Sequence, residues 1–419
     1  MADRLDLRID GKRLWQRLEA LGEIGAVHGP DGERGCARLA LTDLDRDGRD
    51  LVVSWMRDLG MDVSIDAIGN AVATRAGSDP DAAPVMVGSH IDTVRTGGRF
   101  DGNLGVLAGL EIVETLAQHD VTTMRPIQVA FFTDEEGSRF APDMLGSLVY
   151  VGGFALEEAL DVEAADDGAR LGDELTRIGY AGATPVPAAV FPHAYAELHI
   201  EQGPVLEDEE LTIGVVTGVQ GISWTEVTVT GQSAHAGTTP MPLRHDALAV
   251  AARVIHEIRL LAGYFGAPQV ATVGMLEVTP NLVNVVPAKV VFSIDLRNTD
   301  EAVLQQAEAE AFAACTTCAT DEGCEISMRT LARFEPVEFD EGMIDLVETT
   351  AQRLGHTTRR MPSGAGHDAQ MLARVCPTSM VFVPSVKGLS HNIAEYTKPE
   401  DVEAGANVLL QVVLARADT

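Results

Sequence analysis

Residues 84–133 read PVMVGSHIDTVRTGGRFDGNLGVLAGLEIVETLAQHDVTTMRPIQVAFFT, and they carry the pattern of an α/β crossover. The run 84–88 (PVMVG) is short and apolar, and 127–133 (IQVAFFT) is another such run. Each has the length and side chains of a buried strand. Between them, the apolar residues of 104–117 (LGVLAGLEIVETLA) recur at helical spacing. Strand, helix, strand in that order predicts a largely parallel sheet, because parallel neighbours need a long crossover.

Downstream the pattern changes. Residues 225–230 (TEVTVT) alternate polar and apolar, as a half-exposed strand does. A helical stretch follows at 246–261, then strand candidates at 270–275 and 290–296, then a second helix at 300–314. This β-α-β-β-α order predicts a small α+β domain over 214–327, inserted into a larger α/β domain made of 1–213 and 328–419. The larger domain resumes with the apolar run 380–383 (MVFV) and ends in an amphipathic helix at 399–415.

Composition narrows the function. The chain has 419 residues, 46% of them hydrophobic, enough for two or three domains. No apolar run approaches the roughly 18–20 residues that span a bilayer. Residues 1–15 mix Asp, Arg and Lys with no apolar core, so no signal peptide and a cytoplasmic location are expected. The five cysteines are odd in number and do not form a disulfide framework. Cys315, Cys318 and Cys324 lie close together, but a structural zinc site wants four ligands and no fourth is near, so isolated thiols are expected. The formal net charge is −32, and Lys12, Lys289, Lys387 and Lys398 are the only lysines. Such a charge argues against nucleic acid or an anionic membrane as partner. Molar salt screens its self-repulsion, so a halophilic source is expected, with activity that gains from low to molar KCl.

Several acids and histidines stand at the ends of apolar runs. His90 follows one such run, and Asp92, two residues on, is placed to accept its far ring N–H and fix the tautomer. Asp101 lies between glycines in GGRFDGN (97–103), where the backbone can pass close to a site; it could equally cap the following helix. Glu135 and Glu136 end the 127–133 run beside Asp134. Adjacent carboxylates there are costly unless a cation or proton lies between them. His199 sits in ELHIEQG (197–203), and His391 follows MVFVPS in the same manner. Open α/β sheets collect their sites at the carboxyl ends of strands. A mixed set of imidazole and carboxylate ligands suits zinc, with manganese, cobalt or nickel as substitutes.

These motifs resemble those of the M20 metallopeptidase-like superfamily, in particular its hydantoinase/carbamoylase branch. The matching stretches are GSHIDTVRTGGRFDGNLGVLAGLE (88–111), FFTDEEGSRF (131–140), ELHIEQGPVLE (197–207) and GQSAHAGTTPMPLRHDAL (231–248). NLVNVVP (281–287), DLRN (295–298), SGAGHDAQMLA (363–373) and GLSHN (388–392) also match, in family order along nearly the whole chain. The resemblance implies two divalent metal ions per subunit, with Asp101 bridging them. His90 and His199 would complete one site, and Glu136 and His391 the other. Glu135 would be the general base and Asp92 would orient His90. Arg297 would clamp the substrate carboxylate with Asn284 alongside. His235 would reach into a partner subunit's site and steady the oxyanion. Gln202 would contact the ureido group, and Gly366 lies in a loop that closes on substrate. The inserted domain would act in homodimerisation and as a lid. His199, where related peptidases carry an acid, points to the carbamoylase branch. The implied activity is hydrolysis of N-carbamoyl-L-amino acids to amino acid, CO2 and ammonia. Allantoate amidohydrolase is the nearest rival, and a peptidase, an aminoacylase or a catalytically dead scaffold on this fold lies further off.

Overall fold

The computed structural model describes residues 5–419, so the first four residues of the 1–15 stretch lie outside it. The chain divides into two compact units: one runs up to Gly218 and resumes over Glu338–Thr419, and the other is Val219–Val337.

The first unit is built on a nine-stranded mixed sheet. At its centre Thr378–Val383, Ala194–Ile200, Val85–His90 and Ile127–Phe132 lie side by side and parallel. Ile213–Val219 adds antiparallel on one side, and Ala71–Arg75 then Asp62–Ile65 add antiparallel on the other. Every residue of Val85–His90, Ala194–Ile200 and Thr378–Val383 is buried, as expected of strands covered on both faces. The crossover helix Asn103–Gln118 matches the helix read at 104–117. Two glycines let it approach the sheet. A Cβ on Gly105 would lie 2.7 Å from the Leu198 carbonyl oxygen, and one on Gly109 would lie 2.8 Å from Val87 Cγ2. The last helix, Pro399–Ala417, is largely buried.

The second unit is a five-stranded antiparallel sheet with two helices. Lys289–Asn298 pairs with Gly221–Thr230, which pairs in turn with Glu325–Phe334. The helices Ala247–Phe265 and Glu301–Glu322 share a core with the sheet that includes Val227, Val254, Phe292, Leu304 and Ala311. Asp246 caps the first helix through the amide N–H groups of Leu248 and Ala249, and Asp300 caps the second through that of Val303.

Three details differ from the sequence reading. The second helix continues past 314, because Cys315, Cys318 and Ala319 extend its buried face, and it stops at Gly323, which takes φ +67°. The strand read at 270–275 is two short strands, Val270–Thr272 and Leu276–Thr279. Thr272 faces Asp295 and Leu276 faces Phe292, so one extra residue bulges out between them, and the Met275 N–H bonds the Ser293 hydroxyl instead. Strand Glu325–Phe334 was not anticipated, and it carries the second unit past residue 327. All five cysteines are free. Among the described residues no helix is long and apolar enough to cross a membrane.

Candidate metal centre and active site

The four parallel strands end on one edge of the sheet, and the site is there. His90 closes its strand opposite Phe132, and His199 lies opposite Phe382. Beyond Phe132 the chain turns sharply. Asp134 has φ +56° and Met144, which straps the turn, has φ +54°. Three successive main-chain bonds hold the two segments together: Gly146 N to Thr133 O at 2.8 Å, Leu145 N to Asp134 O at 3.2 Å and Met144 N to Glu135 O at 2.7 Å. Such left-handed positions survive only where the surroundings over-determine them. Here they direct Glu135 and Glu136 across the strand ends.

Asp101 is the common point. Its Oδ1 lies 3.1 Å from His199 Nε2 and 3.5 Å from His90 Nε2. Its Oδ2 lies 3.8 Å from His391 Nε2, which is 3.1 Å from Glu136 Oε2. Two ligand groups thus share one carboxylate, His90–Asp101–His199 and Asp101–Glu136–His391; within each, the ligand atoms fall within 4.8 Å of one another. Glu135 Oε2 stands 3.3 Å from His90 Nε2. Asp101 is therefore not a helix cap; Gly102 occupies that position, with φ +64°. A side chain at Gly102 would put Cβ 2.4 Å from His90 Cε1, so the glycine is what allows ring and turn to meet.

The role expected of the Asp92 carboxylate needs correction. His90 Nδ1 bonds the Asp92 main-chain carbonyl at 3.0 Å, while the carboxylate stands 3.9 Å away. The carboxylate instead accepts the N–H groups of Glu135 and Glu136, each at 3.3 Å. Asp92 still fixes the His90 tautomer, but through its backbone, and its side chain anchors the Glu135–Glu136 turn. His199 Nδ1 is held likewise by the Ile200 carbonyl at 2.9 Å. In both rings the carbonyl takes the Nδ1 proton, which leaves Nε2 turned toward Asp101.

Burial and crowding set the protonation of the cluster. Burial, reinforced by Asp368, Glu136 and Asp101, pushes the Glu135 carboxyl well above the usual range despite His90. Burial also works against Asp101, yet His199 and His90 hold it well below that range. Burial disfavours a charge on His90, but Glu135, Asp101, Asp92 and Glu136 outweigh it and raise the ring's pKa. Protons thus sit where a cation would otherwise balance the carboxylates. Glu136 Oε1 is buried with no hydrogen-bond partner among the described residues. That orphaned oxygen, the paired Nε2 atoms and the mixed N/O donor set fit divalent metal ions.

Comparison with known proteins agrees. The family model for peptidase family M20/M25/M40 matches residues 86–415. An N-carbamoyl-L-amino-acid amidohydrolase of Rhizobium meliloti is 44% identical over 98% of this chain and 97% of its own. The chain belongs to peptidase family M20, in its hydantoinase/carbamoylase branch. The crystal structure of a hydantoinase/carbamoylase family amidase from Burkholderia multivorans superposes with a TM-score of 0.93, at 50% identity and covering 99% of both chains. An allantoate amidohydrolase of Escherichia coli is 38% identical over 84% of this chain and 85% of its own.

In this M20 chain, seven of the residues read from sequence meet around Asp101: His90, Asp92, Glu135, Glu136, His199, His391 and Gln202. Gln202 takes φ +59° and donates to Asp101 Oδ2 at 2.8 Å, and its own Oε1 is buried without a hydrogen-bond partner among the described residues. The Ser390 hydroxyl also donates to Asp101 Oδ2, at 2.9 Å. Gly366 packs where a Cβ would lie 2.8 Å from Met144 Cε, beside the strap on Glu135. His235, Asn284 and Arg297 belong to the second unit. His235 is exposed, and its Nδ1 accepts the N–H groups of Gly237 and Thr238 at 3.1 and 3.2 Å, which leaves the proton on Nε2. Asn284 is exposed, and its carbonyl receives the Ala236 N–H. Arg297 directs Nε and Nη2 at Asp295, with Nη2 to Oδ2 at 2.9 Å, and stacks on Trp224.

Four site residues were missed from sequence. Glu197 accepts from Ser89 Oγ at 2.6 Å, Tyr195 OH at 3.1 Å and the Ala369 N–H at 3.0 Å, beneath His199. An acid inside the apolar strand AYAELHI was the available signal. His367 bonds Ser363 Oγ at 2.8 Å, and burial together with His199 keeps its ring neutral, well below its usual value. Burial and Glu197 push the Asp368 carboxyl up to about 8. Glu395 accepts the N–H groups of Phe100 and Asp101. No spacing in the sequence points to it.

Proposed function

We propose that this chain hydrolyses the carbamoyl amide of N-carbamoyl-L-amino acids, giving the amino acid, CO2 and ammonia. The observation that carries the reading is one carboxylate, Asp101, shared by two ligand groups with Glu135 beside them. The 44% identity to the R. meliloti N-carbamoyl-L-amino-acid amidohydrolase, over nearly the full length of both, supports the substrate class.

Asp101, His90 and His199 would hold one divalent ion, and Asp101, Glu136 and His391 the other. Zinc is the ion the donor set suits best, with manganese, cobalt or nickel as substitutes. Ions in these sites supply a Lewis acid for the scissile carbonyl and lower the pKa of water towards ~7. Glu135, beside both ligand groups, takes a proton from water and delivers it to the leaving nitrogen. Gln202 would turn its amide from Asp101 to the ureido group. His235 presents an Nε2–H donor fixed by two backbone N–H groups, suited to a developing oxyanion. Arg297 would offer a planar fork for the substrate carboxylate, in the place now taken by Asp295, and the resemblance sets Asn284 with it.

The test is ammonia release from N-carbamoyl-L-methionine and, separately, from allantoate by the zinc- or manganese-loaded protein, beside a Glu135→Gln control. Turnover of the carbamoyl amino acid, reduced roughly 10²–10⁴-fold in the control, is expected. Preferred turnover of allantoate would reassign the substrate, and turnover of neither would defeat the reading.

A further inference from the structure

The two ligand groups differ in how their histidines are held. His90 and His199 are buried, with each Nδ1 tied to a main-chain carbonyl. The His391 side chain is 52% exposed, on a residue with φ +52°, and its ring meets only the carboxylates of Glu136 and Asp101 among the contacts described. Something other than the ring must fix where His391 stands relative to Asp101.

Glu395 is placed to do this. It lies one turn after His391, in a bend closed by its N–H to the Asn392 carbonyl at 2.9 Å. Its side chain is buried, and Oε1 accepts the N–H of Phe100 at 3.0 Å and of Asp101 at 3.2 Å. A second clasp runs in the same direction, from the Thr96 hydroxyl to the His391 carbonyl at 3.3 Å. Tyr396 packs edge-on against Phe100, 5.9 Å between centroids. Room for the carboxylate comes from Gly98, where a Cβ would lie 1.9 Å from Glu395 Oε1. The paired glycines before Asp101 therefore have a specific use: the second leaves space for an acid from the far end of the chain.

We infer that Glu395 is a positioning residue that clips the Asp101 turn to the His391 segment and so presets the Asp101–Glu136–His391 ion site. The inference rests on the two-ion reading above. The clip works through the acceptor Oε1, so glutamine, which keeps that acceptor, preserves it, whereas leucine removes it at similar volume. Gly98→Ala displaces the carboxylate without altering it.

The experiment is calorimetric titration of the metal-stripped full chain with Mn²⁺, with circular dichroism to monitor the fold. The wild type is expected to take up two ions. Glu395→Leu and Gly98→Ala should bind the first ion as the wild type does and the second roughly 10- to 100-fold more weakly, while Glu395→Gln stays close to wild type. Wild-type affinities for both ions in the leucine and alanine variants would overturn the clip, as would equal weakening of both ions. If Glu395→Leu does not fold, Gly98→Ala against Glu395→Gln decides. A wild type that takes up fewer than two ions would bring down the two-ion reading and the clip with it.

Discussion

The hydrogen bond that His391 donates to the Glu136 carboxylate holds the imidazole up to about 9, so the metal-free ring carries a proton at neutral pH. A ring must be neutral to ligate. Ion uptake at this group therefore expels about one proton from His391 at pH 7, and affinity rises with pH until about 9 and then levels. Titrations in buffers of different ionisation heat read the proton count; an affinity flat between pH 7 and 9 would contradict the assignment. At this scale the candidate ligands His90, Glu136, His199 and His391 stood out because each follows or ends an apolar run, and Asp101 because glycines bracket it. The Asp92 role was legible only in part. Whether a carbonyl or a carboxylate meets His90 is settled by the turn after Ile91, which residue spacing does not encode. The Asp295–Arg297 pair was within reach, since residues two apart on a strand share a face.

Elements were legible where periodicity was strong. The crossover helix matched within a residue at each end because both its apolar spacing and its flanking strands were clear. Gly105 and Gly109 within it were not understood from sequence; the structure shows them lowering the helix onto the Leu198 carbonyl and Val87. That close approach carries Asp101, just before the helix, down to the strand ends. The 270–275 strand failed as one element because a bulge, set by the longer partner strand Lys289–Asn298, is a tertiary matter. Glu325–Phe334 escaped notice because much of it is exposed and its pattern is broken by a bulge at Thr330–Ala332.

For the molecule as a whole, the crossover pattern foretold the α/β sheet, and the alternating strands foretold the antiparallel one. The second unit exposes Met241, Leu243, Leu260, Tyr264, Val270, Leu282 and Val283, a large apolar set for a chain of net charge −32. The homodimer itself is what the resemblance implies. Sedimentation at twice 44.6 kDa is expected, and a single-chain species at micromolar concentration would contradict it. The central claim is that Asp101 bridges two ions. Its most direct test is anomalous diffraction from crystals of the manganese-loaded protein. Two peaks are predicted, one against His90 and His199 and one against Glu136 and His391, with Asp101 between them. A single peak, or a peak among Glu197, His199 and His367 instead, would contradict it.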